Sequence, residues 1–432
     1  MPELSTTVAR GSLSPIGAGF NLVNTIIGSG ILALPYALKE AGFYFGIFVM
    51  VLVSLLIYFS LNTLVYSGRR VGLYKYESVS EAALGRFGHH LLSFALAVNS
   101  IGSCISYLII VGDTATSVTQ HVFGQNALTS RQAIISCAAI GFTLPLLFFR
   151  SLEPLVKPSV ISTLCLPFIV AIVAIRGPAY HTVPEPVPKP VFGPSVLPAF
   201  GVIAFAYSCT QTCYQSYQTL HQKTLHGWKS ATAFATTLAV CIYLAFSVVS
   251  YQSFGLDTQP NLLNNFASDD GLANIARALL AFSLTLTYPM QFYPIRDLLG
   301  ESLLGLSADS LSRAGRAKFH GLSLLLFAST LVVALKVDDL GFVFKLIGTA
   351  ASSVLVFGLP GIIYLRLVSP YFATKVDGES GPLLGSGGLD VNEDVKHISE
   401  PHTSVLSGFL LVLGVVVFII GTWTSIEEFV SS

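Results

Sequence analysis

Charge is what this 432-residue chain has least of: Asp, Glu, Lys and Arg make up 11% of it, against about 25% in an average soluble protein. With 53% hydrophobic residues and a mean hydropathy of +0.70, a soluble fold would lack the polar surface to clothe itself. The composition therefore points to one polytopic membrane domain rather than several soluble ones. Basic and acidic residues balance at 23 each, and no long tail of either sign exists, so nothing favours a nucleic-acid partner. No Gly-Lys dipeptide occurs, which excludes a P-loop, and no loop is large enough for an ATP-hydrolysing domain; primary pumping is excluded. The nine histidines are scattered, without the spacing of a metal site. All six cysteines (Cys104, Cys137, Cys165, Cys209, Cys213 and Cys241) sit in apolar runs, where a thiol behaves as a small hydrophobe, so no disulfide framework is expected. Asp113 has no second intramembrane Asp with which to form a catalytic dyad, which argues against an intramembrane enzyme. The first 14 residues are short and polar and lead into an apolar run far longer than a signal-peptide h-region.

What is present is a repeated run of apolar sequence. A spanning helix needs roughly 20 mainly apolar residues, and a charge at its centre costs a few kcal/mol on insertion scales. Charge-free windows fall at 11–38, 41–68, 87–112, 132–149, 158–175, 190–222, 230–256, 278–295, 319–335, 346–365 and 401–426, which predicts an all-α protein with eleven spans. If the N-terminus is cytoplasmic, only Lys39, Arg131, Arg176, Lys189, Arg277, Lys336 and Lys345 of the 23 basic residues fall on the opposite side. The positive-inside rule then sets the N-terminus in and the C-terminus out. The expected organisation is a cytoplasmic tail at 1–14, a transmembrane domain at 15–424 with a cytoplasmic loop at 366–404, and a short tail at 425–432. Lys39, Glu40 and Gly42 read as a tight turn at the membrane surface. Six prolines between residues 176 and 194 read as an extended outer strap, and residues 77–84 as a short interfacial helix.

Two spans break the pattern. In the first, Gly28-Ser29-Gly30 lies mid-membrane, preceded by Asn21, Asn24 and Thr25. Glycine lets the backbone leave helical geometry, and the N–H groups of the second half-helix, from about Ile31, would then face an anion such as a carboxylate. The other reading of the same residues is a small-residue face for close helix packing. In the sixth, Phe205 to Gln218 is polar yet uncharged. Paired interruptions in spans one and six are the pointer expected for an inverted-repeat transporter with a midplane site; alone, the sixth would also suit the membrane interface.

The stretch from Asn24 to Ala37, NTIIGSGILALPYA, resembles the opening helix of the amino acid/auxin permease family. So do Ser106-Tyr-Leu-Ile-Ile-Val-Gly-Asp113, Tyr251-Gln-Ser-Phe-Gly255, Pro289-Met-Gln-Phe-Tyr-Pro-Ile-Arg296 and Ile347-Gly-Thr-Ala-Ala-Ser-Ser353 with Pro360, in the family's order over roughly residues 15–424. The nearest branches are the sodium-coupled neutral amino acid transporters and the vacuolar amino acid transporters. The resemblance implies a ten-helix inverted-repeat (5+5) core with broken helices one and six plus one extra helix, working by alternating access. It implies an amino acid substrate held by Thr25, Gly28, Ser29, Gly30, Ser208, Cys209 and Thr210, the carboxylate on the backbone of 28–30 and the ammonium near 208–210. Relatives often have Cys-His where this chain has Cys209-Thr210, which removes a histidine from any proton relay there.

Because spans one and six carry no charge, a substrate with an uncharged side chain is expected. No cofactor is expected beyond a coupling ion, sodium or a proton. The resemblance implies a sodium site built from Asn24 with Thr285 or Thr287, although a membrane threonine also often bonds its own i−4 carbonyl. A proton scheme would fall to Asp113, which also reads as a hydrated helix-end residue. Glu379-Ser-Gly-Pro-Leu383-Leu384 fits an acidic dileucine signal on the cytosolic loop, pointing to a clathrin adaptor and to vacuolar or lysosomal sorting, with the plasma membrane as the alternative. The rival function is an amino acid sensor using the same site; the short N-terminal tail, with little to bind a partner, favours transport.

Overall fold

The computed structural model describes residues 13–124, 126–149, 153–180, 187–304, 316–369 and 401–431; the dileucine residues Glu379, Leu383 and Leu384 lie outside them. Among the described residues the fold is helical without strands, apart from one isolated bridge between Leu13 and Leu220. Helical segments fall on the eleven charge-poor windows in order. Eight are long and apolar enough to cross a membrane, and Pro15–Ile26 with Gly30–Ala41, bent by 57°, makes a ninth. The windows at 132–149 and 158–175 hold shorter apolar helices, Arg131–Leu147 and Leu164–Tyr180. Length and composition thus support nine crossings and leave the predicted eleven open at these two. The segments keep their window numbers below.

Lipid tails are as apolar as leucine, so helices in a bilayer associate through close packing and hydrogen bonds rather than through the hydrophobic effect. Segment six meets segment ten at Gly201 and Gly348, where a Cβ on Gly348 would lie 2.1 Å from the Gly201 carbonyl oxygen. Segment ten (Leu340–Leu367) widens into π turns at Gly348–Ser352 and Val354–Gly358. Such turns displace backbone carbonyls from the α-ladder, and this one has outside donors: Tyr76 Oη (2.9 Å) and Thr210 Oγ1 (3.1 Å) donate to Leu355, and Ser60 Oγ (2.5 Å) to Val356. Segment ten is thereby tied to segments two and six and to the start of the Tyr76–Phe123 helix.

The turn between segments one and two forms as expected, with Gly42 at φ +94. It is not a free surface turn. The chain entering segment six lies along it, with Gly193 N–H donating to Ala41 O (2.8 Å) and Ser195 N–H to Glu40 O (3.0 Å). Glu40 itself is buried, within 2.6 Å of Lys345 Nζ. The interfacial helix from Tyr76 also forms, ending at Gly85 (φ +64) before segment three. Ahead of segment eight, Asp270 caps Leu272 and Ala273 and pairs with Arg176 at 2.6 Å. Burial acts to raise its carboxyl, but Arg176, the Ala273 N–H and the Tyr180 hydroxyl outweigh that and hold it at about 2.

Candidate functional site

Segment one stops being an α-helix after Ile26. Ile27 (φ −77, ψ 82) leaves helical geometry, Gly28 (φ −114, ψ −157) is extended, and a 3-10 turn over Ser29–Ala33 leads into the second half-helix, Leu34–Ala41. Segment six stops at Ala206, passes through Tyr207 (φ −89, ψ 0) and Cys209 (φ −140, ψ 6), and resumes through Thr210–Thr212 at Cys213. The two breaks adjoin: a Cβ on Gly30 would lie 2.8 Å from Ala206 Cα. Close packing and unwinding, alternatives in the sequence, are therefore both present, divided between two glycines. Gly30 is needed for approach, whereas a Cβ on Gly28 would meet nothing within 4 Å.

The broken backbone leaves polar groups with no partner among the described hydrogen bonds. Gly28 N–H turns back on Ile26 O (2.8 Å), and Ile31 N–H is used by Gly28 O (3.3 Å). Gly30 N–H therefore has no partner among the described hydrogen bonds; it falls within the expected 28–30, one residue before Ile31, and the 3-10 turn consumes the later donors. On segment six, the carbonyls of Tyr207 and Ser208 have no backbone donor, and Ser208 Oγ, Tyr207 Oη and Gln211 Oε1 are enclosed without a hydrogen bond. Backbone groups buried this way are rare unless something else satisfies them. One break thus offers a donor suited to a carboxylate, and the other offers acceptors suited to an ammonium.

Tyr243 joins the two. Its hydroxyl lies 2.6 Å from Ile26 O and 2.9 Å from Ala206 O, the carbonyls that end the first halves of segments one and six. The residue is fully buried, its ring edge-on to Tyr207 with centroids 4.8 Å apart. The sequence gives no sign of this role, since Tyr243 sits in an ordinary apolar run. Tyr243→Phe should leave both carbonyls without that donor and destabilise the protein by about 1–3 kcal/mol, read as a lowered unfolding temperature of purified protein. An unchanged temperature would mean the bridge contributes nothing.

The other expected residues are placed as follows. Cys209 and Thr210 are fully buried, and Thr210 is committed to segment ten. Thr25 Oγ1 donates to Asn21 O (3.0 Å), and Asn24 is exposed. Thr285 and Thr287 donate to Ala281 O (2.7 Å) and Ser283 O (2.8 Å), as membrane threonines commonly do. The first half of segment one packs chiefly on segment seven, and no hydrogen bond among the described residues joins Asn24 to either threonine. Asp113 stands in an ion-pair chain, 2.8 Å from Arg131, which in turn reaches Asp338 at 2.7 Å. Apart from Tyr243, the sequence reading missed that Glu40, Lys345 and Glu428 meet, at distances of 2.6 and 2.8 Å.

Comparison with known proteins gives this arrangement a context. The model of the family described as "Transmembrane amino acid transporter protein" matches residues 11–377. The putative sodium-coupled neutral amino acid transporter 11 of Mus musculus is 33% identical over 366 residues, 83% of this chain and 79% of that protein. Vacuolar amino acid transporter 2 of Saccharomyces cerevisiae is 27% identical over 82% of this chain and 76% of its own. In fold, the chain is similar to the inward-facing conformation of Mhp1 (TM-score 0.61, 11% identity, 98% of this chain and 92% of that one). It is also similar to the Eremococcus coleocola manganese transporter (TM-score 0.56, 14% identity, 99% and 90%). The chain belongs to the family of transmembrane amino acid transporter proteins, multi-pass membrane carriers rather than enzymes.

Proposed function

We propose that the chain is a secondary active transporter of neutral amino acids, working by alternating access between the two broken segments. One observation carries the reading: the Gly30 N–H of segment one, without a described partner, faces the same junction as free acceptors of segment six, and neither break carries a charge. In this reading the substrate carboxylate sits on the backbone of Ser29 and Gly30, beside the open space at Gly28. The ammonium takes the Tyr207 and Ser208 carbonyls with the Ser208 hydroxyl. With no charged side chain at the junction, an uncharged substrate side chain avoids burying an unpaired charge.

Sodium is the coupling ion this reading favours, held by segment-one carbonyls with Asn24 and by Thr285 or Thr287. A threonine hydroxyl whose proton goes to its own helix still presents oxygen lone pairs to a cation. Asp113, the proton alternative, is occupied by Arg131. The dileucine residues and the vacuolar name of one relative support a vacuolar or lysosomal membrane with adaptor-mediated sorting, the N-terminus being cytoplasmic by the charge bias.

The test is uptake into proteoliposomes of the purified full-length chain. Neutral amino acids should accumulate at least about tenfold faster than lysine or glutamate, the scale set by leaving one charge unpaired. Replacing sodium at fixed pH should abolish accumulation. Full activity without sodium would remove the Asn24, Thr285 and Thr287 scheme, and equal uptake of charged substrates would remove the neutral assignment.

A further inference from the structure

Arg296 ends the Pro289–Arg296 motif of segment eight, at the end of the bundle that the charge bias assigns to the cytoplasm. It is 3% exposed, and its guanidinium carbon lies 4.1 Å from the ring centre of Tyr293 and 4.4 Å from that of Phe319. Both rings are fixed: Tyr293 Oη donates to Leu146 O (3.2 Å) and Phe149 O (2.9 Å) at the end of segment four, and Phe319 is fully buried. Rings attract the cation but accept no hydrogen bond from its edge. Asp297 is 3.6 Å from Nε, too far for a hydrogen bond, and Nε and Nη1 are both enclosed without an acceptor. His320, packed on Phe148 and Phe319, has an enclosed Nδ1 that is likewise unpartnered.

A buried guanidinium is costly when two of its three nitrogens are enclosed without a hydrogen-bond acceptor, and an anion is the acceptor that suits them. A carboxylate one residue away does not fill the role. The site lies at the end of the charge-free window of segment eight, beside the end of segment four and the start of segment nine. The first turn of the 21-residue helix Arg316–Lys336 adds backbone N–H groups that its own ladder leaves free. Phosphate oxygens match guanidinium edges and helix N-termini alike, and basic pockets between cytoplasmic helix ends take anionic headgroups. We propose that Arg296, with His320 and the start of segment nine, is a binding site for a phosphate group at the cytoplasmic membrane face. This site is separate from the broken-helix junction and does not depend on the transport reading.

Hydrogen exchange and thermal unfolding of the purified, delipidated full-length chain test this, with phosphatidylglycerol, phosphatidylcholine or inorganic phosphate as the added probe. Phosphatidylglycerol should raise the unfolding temperature by about 2–4 °C at saturation and slow exchange in peptides covering 145–149, 293–298 and 318–322. Phosphatidylcholine should do neither. The same response to inorganic phosphate alone would support the site with a free anion as its ligand. Arg296→Gln should lose the response, and Arg296→Lys, which keeps the charge without the planar fork, should lose most of it. No response to either phosphate, protection located elsewhere, or an unchanged response in the variants would overturn the proposal. If neither variant folds, the location of exchange protection in the unmodified chain decides.

Discussion

Gly28→Val should weaken amino acid binding by about 10–100-fold while purified protein remains folded, the loss expected when charge-assisted hydrogen bonds to a carboxylate are blocked. The backbone at Gly28 (φ −114) is open to any residue, and an added Cβ meets no protein atom within 4 Å. Valine's branch therefore starts in open space, beside the Gly30 N–H that has no described partner. Gly30→Ala is the internal contrast. Its new methyl would lie 2.8 Å from Ala206 Cα, a backbone atom that cannot step aside, so the two breaks would be forced apart. That variant should lose unfolding temperature or folded yield, with overpacking worth about 1–3 kcal/mol. Affinity by equilibrium binding and stability by thermal unfolding, measured on both variants, separate the two effects. Unchanged affinity in Gly28→Val would mean the carboxylate binds elsewhere, and a stable Gly30→Ala would mean the breaks are not in contact.

These two glycines also mark how far the sequence can be read. The placement of helices was legible because a charge in a bilayer is costly and its absence leaves a signature dozens of residues long. The break in segment one was legible for a related reason: Gly-Ser-Gly beside Asn and Thr is an unusual composition in mid-membrane. Which glycine allows approach and which leaves space was not legible, because that depends on Ala206, 176 positions away in the chain. The form of the restart was not legible, because composition does not distinguish a 3-10 restart from an α-helical one. Tyr243 illustrates the limit most clearly. A tyrosine in an apolar run is ordinary, and only the meeting of two helix ends turns its hydroxyl into a bridge. Glu40 was read as a surface charge because its neighbours Lys39 and Gly42 form a turn; its partner Lys345 is 305 residues distant.

Lys345→Met should destabilise the protein by about 3–5 kcal/mol, the cost of leaving buried charge without its partner. Lys345 is 8% exposed, and its ammonium lies 2.6 Å from Glu40 and 2.8 Å from Glu428. Glu428 also accepts from Ser195, so the cluster ties the second half of segment one to the starts of segments six and ten and the end of segment eleven. Methionine matches the length of the lysine stem, so the loss is one of charge rather than volume. Two carboxylates would then face one another across the former ammonium position, and like charges at that range oppose each other as well as lacking a counter-ion. The unfolding temperature should fall by about 5–10 °C. Removing the stranded charges should recover most of it: Glu40→Gln, Lys345→Met and Glu428→Gln together leave no buried charge, and replacing a whole buried ion cluster is often close to neutral. Glu428→Gln alone should cost least, since that side chain is 38% exposed and water already screens it. The order of the variants is what distinguishes an electrostatic clamp from simple packing. If the triple variant is less stable than Lys345→Met, the three side chains hold these segments by shape, and the charges are incidental to it.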